Sequence, residues 1–268
     1  MKTITLLFAM LLISSWMIAQ NEEETDTTTF RLGKKNIIIV DDETQDTLEI
    51  KRERDFYSHW SSIGLGINSY FASDFETTLP SDAEFMELNV GKSWEVSLNL
   101  FNFDLGIVKD FVGLNSGLGL RMNNYRFNNN TILQPTYLSP GDSLQYSYDM
   151  VNNYKKNKLA SYSVVMPLMI NFHIPLKKDN HHLIFAAGVE GGVRIHTFTK
   201  LKMRDDNGKE KIKMTDDYNL SPYFYGFTAR VGTDEFMLYA HYDVTPLFEE
   251  NKGPELYPFS FGLIIPFD

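Results

Sequence analysis

The sequence predicts an all-β chain: an eight-stranded antiparallel up-and-down transmembrane β-barrel with a small N-terminal periplasmic β-hairpin. Three observations predict it. Eight segments alternate large apolar residues with small or polar ones at a period of two. The second face of these segments is crowded with glycine and carries isolated charges of both signs, unlike a hydrated Lys/Glu/Thr surface. The connections between them run long, short, long, short, long, short, long. A narrow eight-stranded barrel is filled by its own side chains, which suits small residues inside. Its apolar face then meets lipid, and closure leaves no unpaired peptide groups in hydrocarbon. Short periplasmic turns and longer external loops are the rule for outer-membrane barrels.

Composition bounds this reading. With 268 residues, 43% hydrophobic and 22% charged, the chain is neither disordered nor collagen-like. There is no cysteine, which excludes disulfides, thiolate metal ligands and a cysteine nucleophile. A formal charge of −10 argues against nucleic acid as a partner, because phosphate binding needs a concentrated basic surface. Beyond the first segment no apolar run reaches the roughly 18 residues of a transmembrane helix.

In chain order, Met1–Gln20 reads as a secretory signal peptide: Lys2 leads, Leu6–Ile13 are apolar, and Ser14, Ser15 and Ala19 are small. Residues 21–57 are expected to lie in the periplasm. Asn21–Thr29 is an acidic, threonine-rich tail expected to be flexible. Asn36–Val40 and Leu48–Ile50 flank a turn-rich DDETQDT and predict the hairpin, and Lys51–Asp55 is a charged linker. Residues 58–268 form the barrel, with strands expected at 59–71, 93–107, 111–127, 158–174, 182–198, 219–231, 235–243 and 256–267. The last is the cleanest: Tyr257, Phe259, Phe261, Leu263, Ile265 and Phe267 share one face, opposed by Pro258, Ser260, Gly262, Ile264 and Pro266. Aromatic residues near segment ends suggest interface belts: Trp60, Tyr70, Phe71, Trp94, Tyr125, Phe127, Tyr162, Phe172, Tyr242, Tyr257 and Phe267. A soluble lipocalin-like carrier is the alternative fold, with the apolar faces turned inward around a ligand. The glycine-filled second face and the alternating connection lengths oppose it.

Several pieces resemble the PorT-like outer-membrane β-barrel proteins common in Bacteroidetes. They are Phe30-Arg31-Leu32-Gly33-Lys34-Lys35, His59-Trp60, Ser116-Gly117-Leu118-Gly119-Leu120 with Asn124-Tyr125-Arg126-Phe127, and Met166-Pro167-Leu168. Near the end come Tyr242-Asp243-Val244-Thr245-Pro246-Leu247-Phe248 and Pro258-Phe259-Ser260-Phe261-Gly262-Leu263. The resemblance implies an outer-membrane location and a barrel of about eight strands. Some members assist the secretion machinery linked to gliding. The aromatic last strand also looks like the signal read by the barrel-assembly machinery, although Asp268 follows Phe267 here.

The residues expected inside the barrel with charge are Glu95, Asp104, Arg121, Glu190, Arg194, Arg230 and Asp243. They read as an ion-pair network plugging the lumen, since an isolated charge there is costly and a paired one tolerable. A gated polar pathway is the other reading. His196, Ser221 and Asp217 fall near the external rim, where a nucleophile–base–orienter set could be drawn. No nucleophile-elbow motif accompanies them. His181-His182 with Asp179, and Asp205-Asp206-Asn207-Gly208, read as turns rather than metal sites, and no metal or cofactor is expected. Gly64-Leu65-Gly66 and Gly117-Leu118-Gly119 read as small residues of the inner face, and Lys200–Lys213 as a solvated mixed-charge run on an external loop, with contact to lipopolysaccharide phosphates as the other reading. The expected function is a non-enzymatic envelope structural or interaction protein acting through its external loops or the hairpin. Its expected partners are outer-membrane lipids, the barrel-assembly machinery and an envelope protein. A secretion-machinery accessory, a rim-active lipid-modifying enzyme and a narrow ion pore are the alternatives.

Overall fold

The computed structural model describes residues 26–32, 35–41, 47–49, 56–108, 110–138, 143–151, 154–176, 182–203 and 210–267. The expected signal peptide, the 51–55 linker, Asp179, His181 and Asp205–Gly208 lie outside the described residues. The chain divides into two units, a small sheet and a large one.

The small sheet holds β1 (Asp26–Leu32), β2 (Lys35–Asp41) and β3 (Thr47–Glu49) in that order. β2 and β3 pair antiparallel, with Ile38 opposite Glu49 and Val40 opposite Thr47, as the hairpin reading expects. The structure corrects that reading at its start. Asp26–Thr29, expected to be flexible, belong to β1, so the hairpin is a three-stranded sheet. Thr27, Thr28, Thr29 and Phe30 are β-branched or aromatic, and their strand preference outweighs the acidic composition.

The large sheet is a ring of eight strands. It runs β4 (Ser62–Phe71), β5 (Trp94–Val108), β6 (Val112–Arg126), β9 (Tyr154–Pro175), β10 (His182–Met203), β12 (Tyr223–Gly232), β13 (Met237–Asp243) and β14 (Tyr257–Pro266), each antiparallel to the next. β14 pairs back onto β4 from Tyr257–Phe71 to Pro266–Ser62, which closes the barrel. The seam is tight: Gly262 lies opposite Gly66, and a Cβ on Gly262 would fall 2.8 Å from the Leu65 carbonyl carbon. Shorter pieces lie in the connections: β7 (Thr131–Leu133) pairs with β8 (Tyr146–Tyr148), and β11 (Lys211–Thr215) pairs with the upper part of β10.

Alternation decides which way the side chains point. Leu65, Phe185, Tyr225 and Phe261 are exposed on the outer wall, while Asn68, Glu190, Thr228 and Ser260 on the opposite parity are buried. The apolar faces therefore point away from the axis, opposite to a lipocalin-like carrier. No helix among the described residues is long and apolar enough to cross a membrane; crossing falls to the strands.

Two departures from the expected strands matter. β9 and β10 run 22 residues each, well beyond 158–174 and 182–198, so their hairpin rises past the apolar band. A β-bulge between Arg194 and His196 breaks the alternation in β10. Below it the even positions face the axis; above it Thr197, Thr199 and Leu201 do, and His196, Phe198 and Lys200 face out. The belt also needs correction. Trp60, Tyr70, Tyr125 and Phe127 are buried inside, each at most 4% exposed. Tyr70 and Tyr125 share strand parity with Asn68 and Asn123 and so point inward whatever their polarity. Trp94, Tyr162 and Phe172 do lie on the outer wall.

Candidate functional site

The lumen is built from the inner parities of all eight strands. At mid-height Arg121 on β6 gathers three carboxylates. Its guanidinium contacts Glu190, and stands 3.8 Å from both Glu95 and Asp243. It also donates to His241 Nε2 at 2.9 Å. Arginine can only donate, so this imidazole nitrogen is unprotonated. Glu95 accepts from Tyr239 Oη at 3.0 Å and from Ser260 Oγ at 2.7 Å. These groups leave a cavity of about 10 Å³, lined among others by Glu95, Arg121, Asn123 and Asp243. That is room for about one water.

The remaining expected charges sit above and below. Arg194 donates to the Ser221 carbonyl and lies over the Phe224 ring, 4.9 Å from its centroid. Arg121 lies over the same ring at 5.6 Å. Gly192 makes room for that ring: a Cβ there would approach its Cε atoms to 2.8 Å. Arg230 stacks over Trp60, 4.0 Å from the ring centroid. Asp104 accepts from Asn102 Nδ2 at 2.8 Å and from the Ser58 backbone at 3.4 Å. Among the described residues, Arg121 alone thus touches the three mid-height carboxylates Glu95, Glu190 and Asp243, whereas the contacts of Arg194 and Arg230 described above are to a carbonyl and to aromatic rings.

Both mouths are closed by segments that periodicity does not reveal. At the end bearing the short turns, residues 56–61 precede β4 and fold into the opening. Phe56 stacks on His173 with centroids 4.7 Å apart, and Ser58 Oγ donates to Asn102 Oδ1 at 3.0 Å. Trp60 is buried against Gly117, where a Cβ would come within 2.6 Å of its Cδ1. At the long-loop end the connections pack into one apolar cluster that includes Met86, Tyr125, Leu159, Tyr218, Leu247 and Leu256. Tyr218 and Asn219 both take positive φ, 53° and 56°. Asp216 Oδ2 and Asp217 Oδ1 hold this bend by accepting from their backbone N–H groups. The Tyr218 hydroxyl bonds Thr199 Oγ1 and donates to the Met214 carbonyl, and burial pushes its pKa up to about 12.

The rim residues considered for catalysis are engaged separately. Ser221 Oγ donates to the Pro246 carbonyl at 2.9 Å, Asp217 accepts from Asn219, and His196 lies on the outer face near the rings of Tyr162 and Phe198. His182 stands 6.1 Å from the His173 ring. Sequence reasoning missed His241, Tyr239 and Ser260 in the central network, although all share the inner parity of Asp243 or Gly262. It also missed the Phe56–Trp60 plug, which carries no alternation to betray it.

Comparison with known proteins gives the family. A family model described as "Outer membrane protein beta-barrel domain" matches residues 46–249. No curated protein matches the chain. Among solved structures, the outer membrane phospholipase A from Escherichia coli is similar at 11% identity and a TM-score of 0.21, covering 77% of this chain and 96% of that one. The Salmonella typhi outer membrane phospholipase dimer with bound calcium gives 11% identity and a TM-score of 0.21, covering 76% and 90%. The family match takes in most of the ring, and its description agrees with a closed wall of outward apolar residues: this chain belongs to the outer membrane protein β-barrel domain family and is a β-barrel of the bacterial outer membrane.

Proposed function

We propose that the protein is a non-enzymatic barrel of the PorT-like kind, an envelope structural or interaction protein that works through its surfaces rather than its lumen. The observation that carries this reading is closure at three levels: Phe56 and Trp60 at one mouth, Arg121 with its carboxylates at mid-height, and the apolar cap at the other mouth. A lumen so filled offers neither a conduction path nor a substrate pocket. The external connections offer contact instead: Tyr137, Leu138, Met150 and Val151 stand exposed at the long-loop end, Val151 at 91%. In this reading Met1–Gln20 directs export, the 26–49 sheet faces the periplasm, and β14 presents the barrel to the assembly machinery.

The test has two parts. Planar-bilayer recording of the purified barrel is expected to show no conductance above background. Photo-crosslinkers at Met150 and Val151, and in the 26–49 sheet, are expected to capture a discrete envelope protein in intact cells. Steady conductance refutes the plugged lumen. No captured protein, together with an unchanged envelope on deletion, refutes the interaction role. Capture of secretion-machinery components would specify the accessory form of it.

A further inference from the structure

The outer face of the upper hairpin carries cations in rows. On β10, Lys200 lies opposite Lys158 of β9 on one side and Lys213 of β11 on the other. Lys158 in turn lies opposite Arg126 of β6. One row across four strands is therefore Arg126, Lys158, Lys200 and Lys213. Two residues further out, Lys202 lies between Lys156 and Lys211. All seven face outward: Lys156 and Lys158 share the parity of exposed Tyr162, and the bulge at Arg194–His196 brings Lys200 and Lys202 into the same phase.

Such an arrangement is costly by itself. Directly opposed residues on one face have Cβ atoms about 5 Å apart, and like charges so placed repel. Among the described residues, no Asp or Glu forms an ion pair with Arg126, Lys156, Lys158, Lys200, Lys211 or Lys213. Local contacts hold Arg126, Lys158 and Lys213 in place without neutralising them. Lys158 donates to Asn124 Oδ1 and Arg126 to the Lys155 carbonyl. The buried Phe198 ring lies 4.1 Å from Lys213 Nζ and 5.6 Å from Lys158 Nζ. Directly below lies a groove of about 510 Å³ on the lipid-facing wall, lined by Leu98, Leu120, Met122, Tyr162 and Ile195, with Lys213 at its edge. Tyr162 is four residues below Lys158, about 13 Å along the strand.

We propose that this face binds a phosphorylated glycolipid of the outer leaflet, of the lipid A type, with its phosphates on the lysine rows and an acyl chain in the groove. The proposal needs only the barrel's place in the outer membrane and is independent of the interaction role. Continuity selects the ligand: Lys213 belongs to both the row and the groove, so one molecule with an anionic head and an apolar tail satisfies both. An acidic polypeptide or a free phosphate would use the rows and leave the groove empty.

The test is native mass spectrometry of the full folded chain in neutral detergent, titrated with bisphosphorylated lipid A and with dephosphorylated lipid A. The phosphorylated lipid is expected to bind at least about tenfold more tightly, and neutralising three cations beside a charged lipid (K158Q/K200Q/K213Q) to weaken it by about a hundredfold. The K158R/K200R/K213R variant is expected to retain binding. Unheated gel mobility reports whether each variant is folded, and the comparison of the two lipids on the native chain decides the matter if the Gln variant does not fold. Equal affinity for the two lipids overturns the proposal, as does undiminished binding by a folded Gln variant. Displacement by millimolar inorganic phosphate would overturn it in favour of a soluble-anion site. Binding of polyglutamate with no binding of lipid A would overturn it in favour of an acidic polypeptide.

Discussion

Replacing Arg121 with methionine keeps an unbranched apolar stem and removes the one cation that touches Glu95, Glu190 and Asp243 together. At 3.8 Å and an effective dielectric of about 20, each of the two longer contacts is worth about 4 kcal/mol before desolvation. Desolvation cancels much of that while both partners are present. Removing one partner exposes it, and stranding a buried charge costs about 3–5 kcal/mol. Three stranded carboxylates put Arg121→Met at the upper end, about 5 kcal/mol. The assay is urea unfolding in lipid vesicles, followed by tryptophan fluorescence and by the mobility of the unheated band. Adding Glu190→Gln removes one of the stranded charges, so the double variant is expected to recover about 1–3 kcal/mol relative to the single one. A loss below about 1 kcal/mol for Arg121→Met, or strictly additive effects in the double variant, would refute the view that these groups form one network.

Gly262→Val should block the seam, because its side chain would enter the space of Leu65 and Gly66; the expected outcome is loss of the fast-migrating folded band on unheated gels, and normal folding would contradict the tight seam. Trp60→Ala empties the plug at the short-turn end and takes away the ring beneath Arg230, with an expected loss of about 3–5 kcal/mol by urea midpoint. Its lumen should stay non-conducting, because the Arg121 layer remains, and a steady current in Trp60→Ala would show the central layer to be permeable. The cap should weaken in alkali. An unfolded tyrosine ionises near pH 10 and Tyr218 near about 12, so its contribution is complete below pH 10 and lost as pH climbs toward 12. Protection of the 216–220 amides, their exchange relative to the intrinsic rate at each pH, is the readout; it is expected to fall over that window, and constant protection would place the hydroxyl in water.

Parity made most of the lumen legible. Glu95, Arg121, Glu190, Arg230 and Asp243 each fall on the small-residue side of an alternating strand, and each is buried. The misplaced aromatics show what happens when parity is ignored. Tyr70 and Tyr125 look like belt residues from their position near strand ends, yet their phase sends them inward. The cap and the Phe56–Trp60 plug were illegible for another reason. Their contacts join connections far apart in sequence, and no local period encodes that. The lysine rows were legible only in part: Lys200–Lys213 stands out as a mixed-charge run, whereas Arg126, Lys156 and Lys158 do not. A net charge of −10 does not reveal that seven cations converge on one face, and their convergence depends on cross-strand register.

The additional residue at Arg194–His196 is spare in the ladder. Arg194 stays opposite Ser163 and His196 opposite Tyr162, so two steps on β10 match one on β9. Deleting Ile195 would leave Arg194 inward and His196 outward as ordinary neighbours, and Lys200 and Lys202 would keep their faces. Elsewhere in β10 the loss of one residue turns every later side chain over, so this is the place where the strand tolerates a change of length.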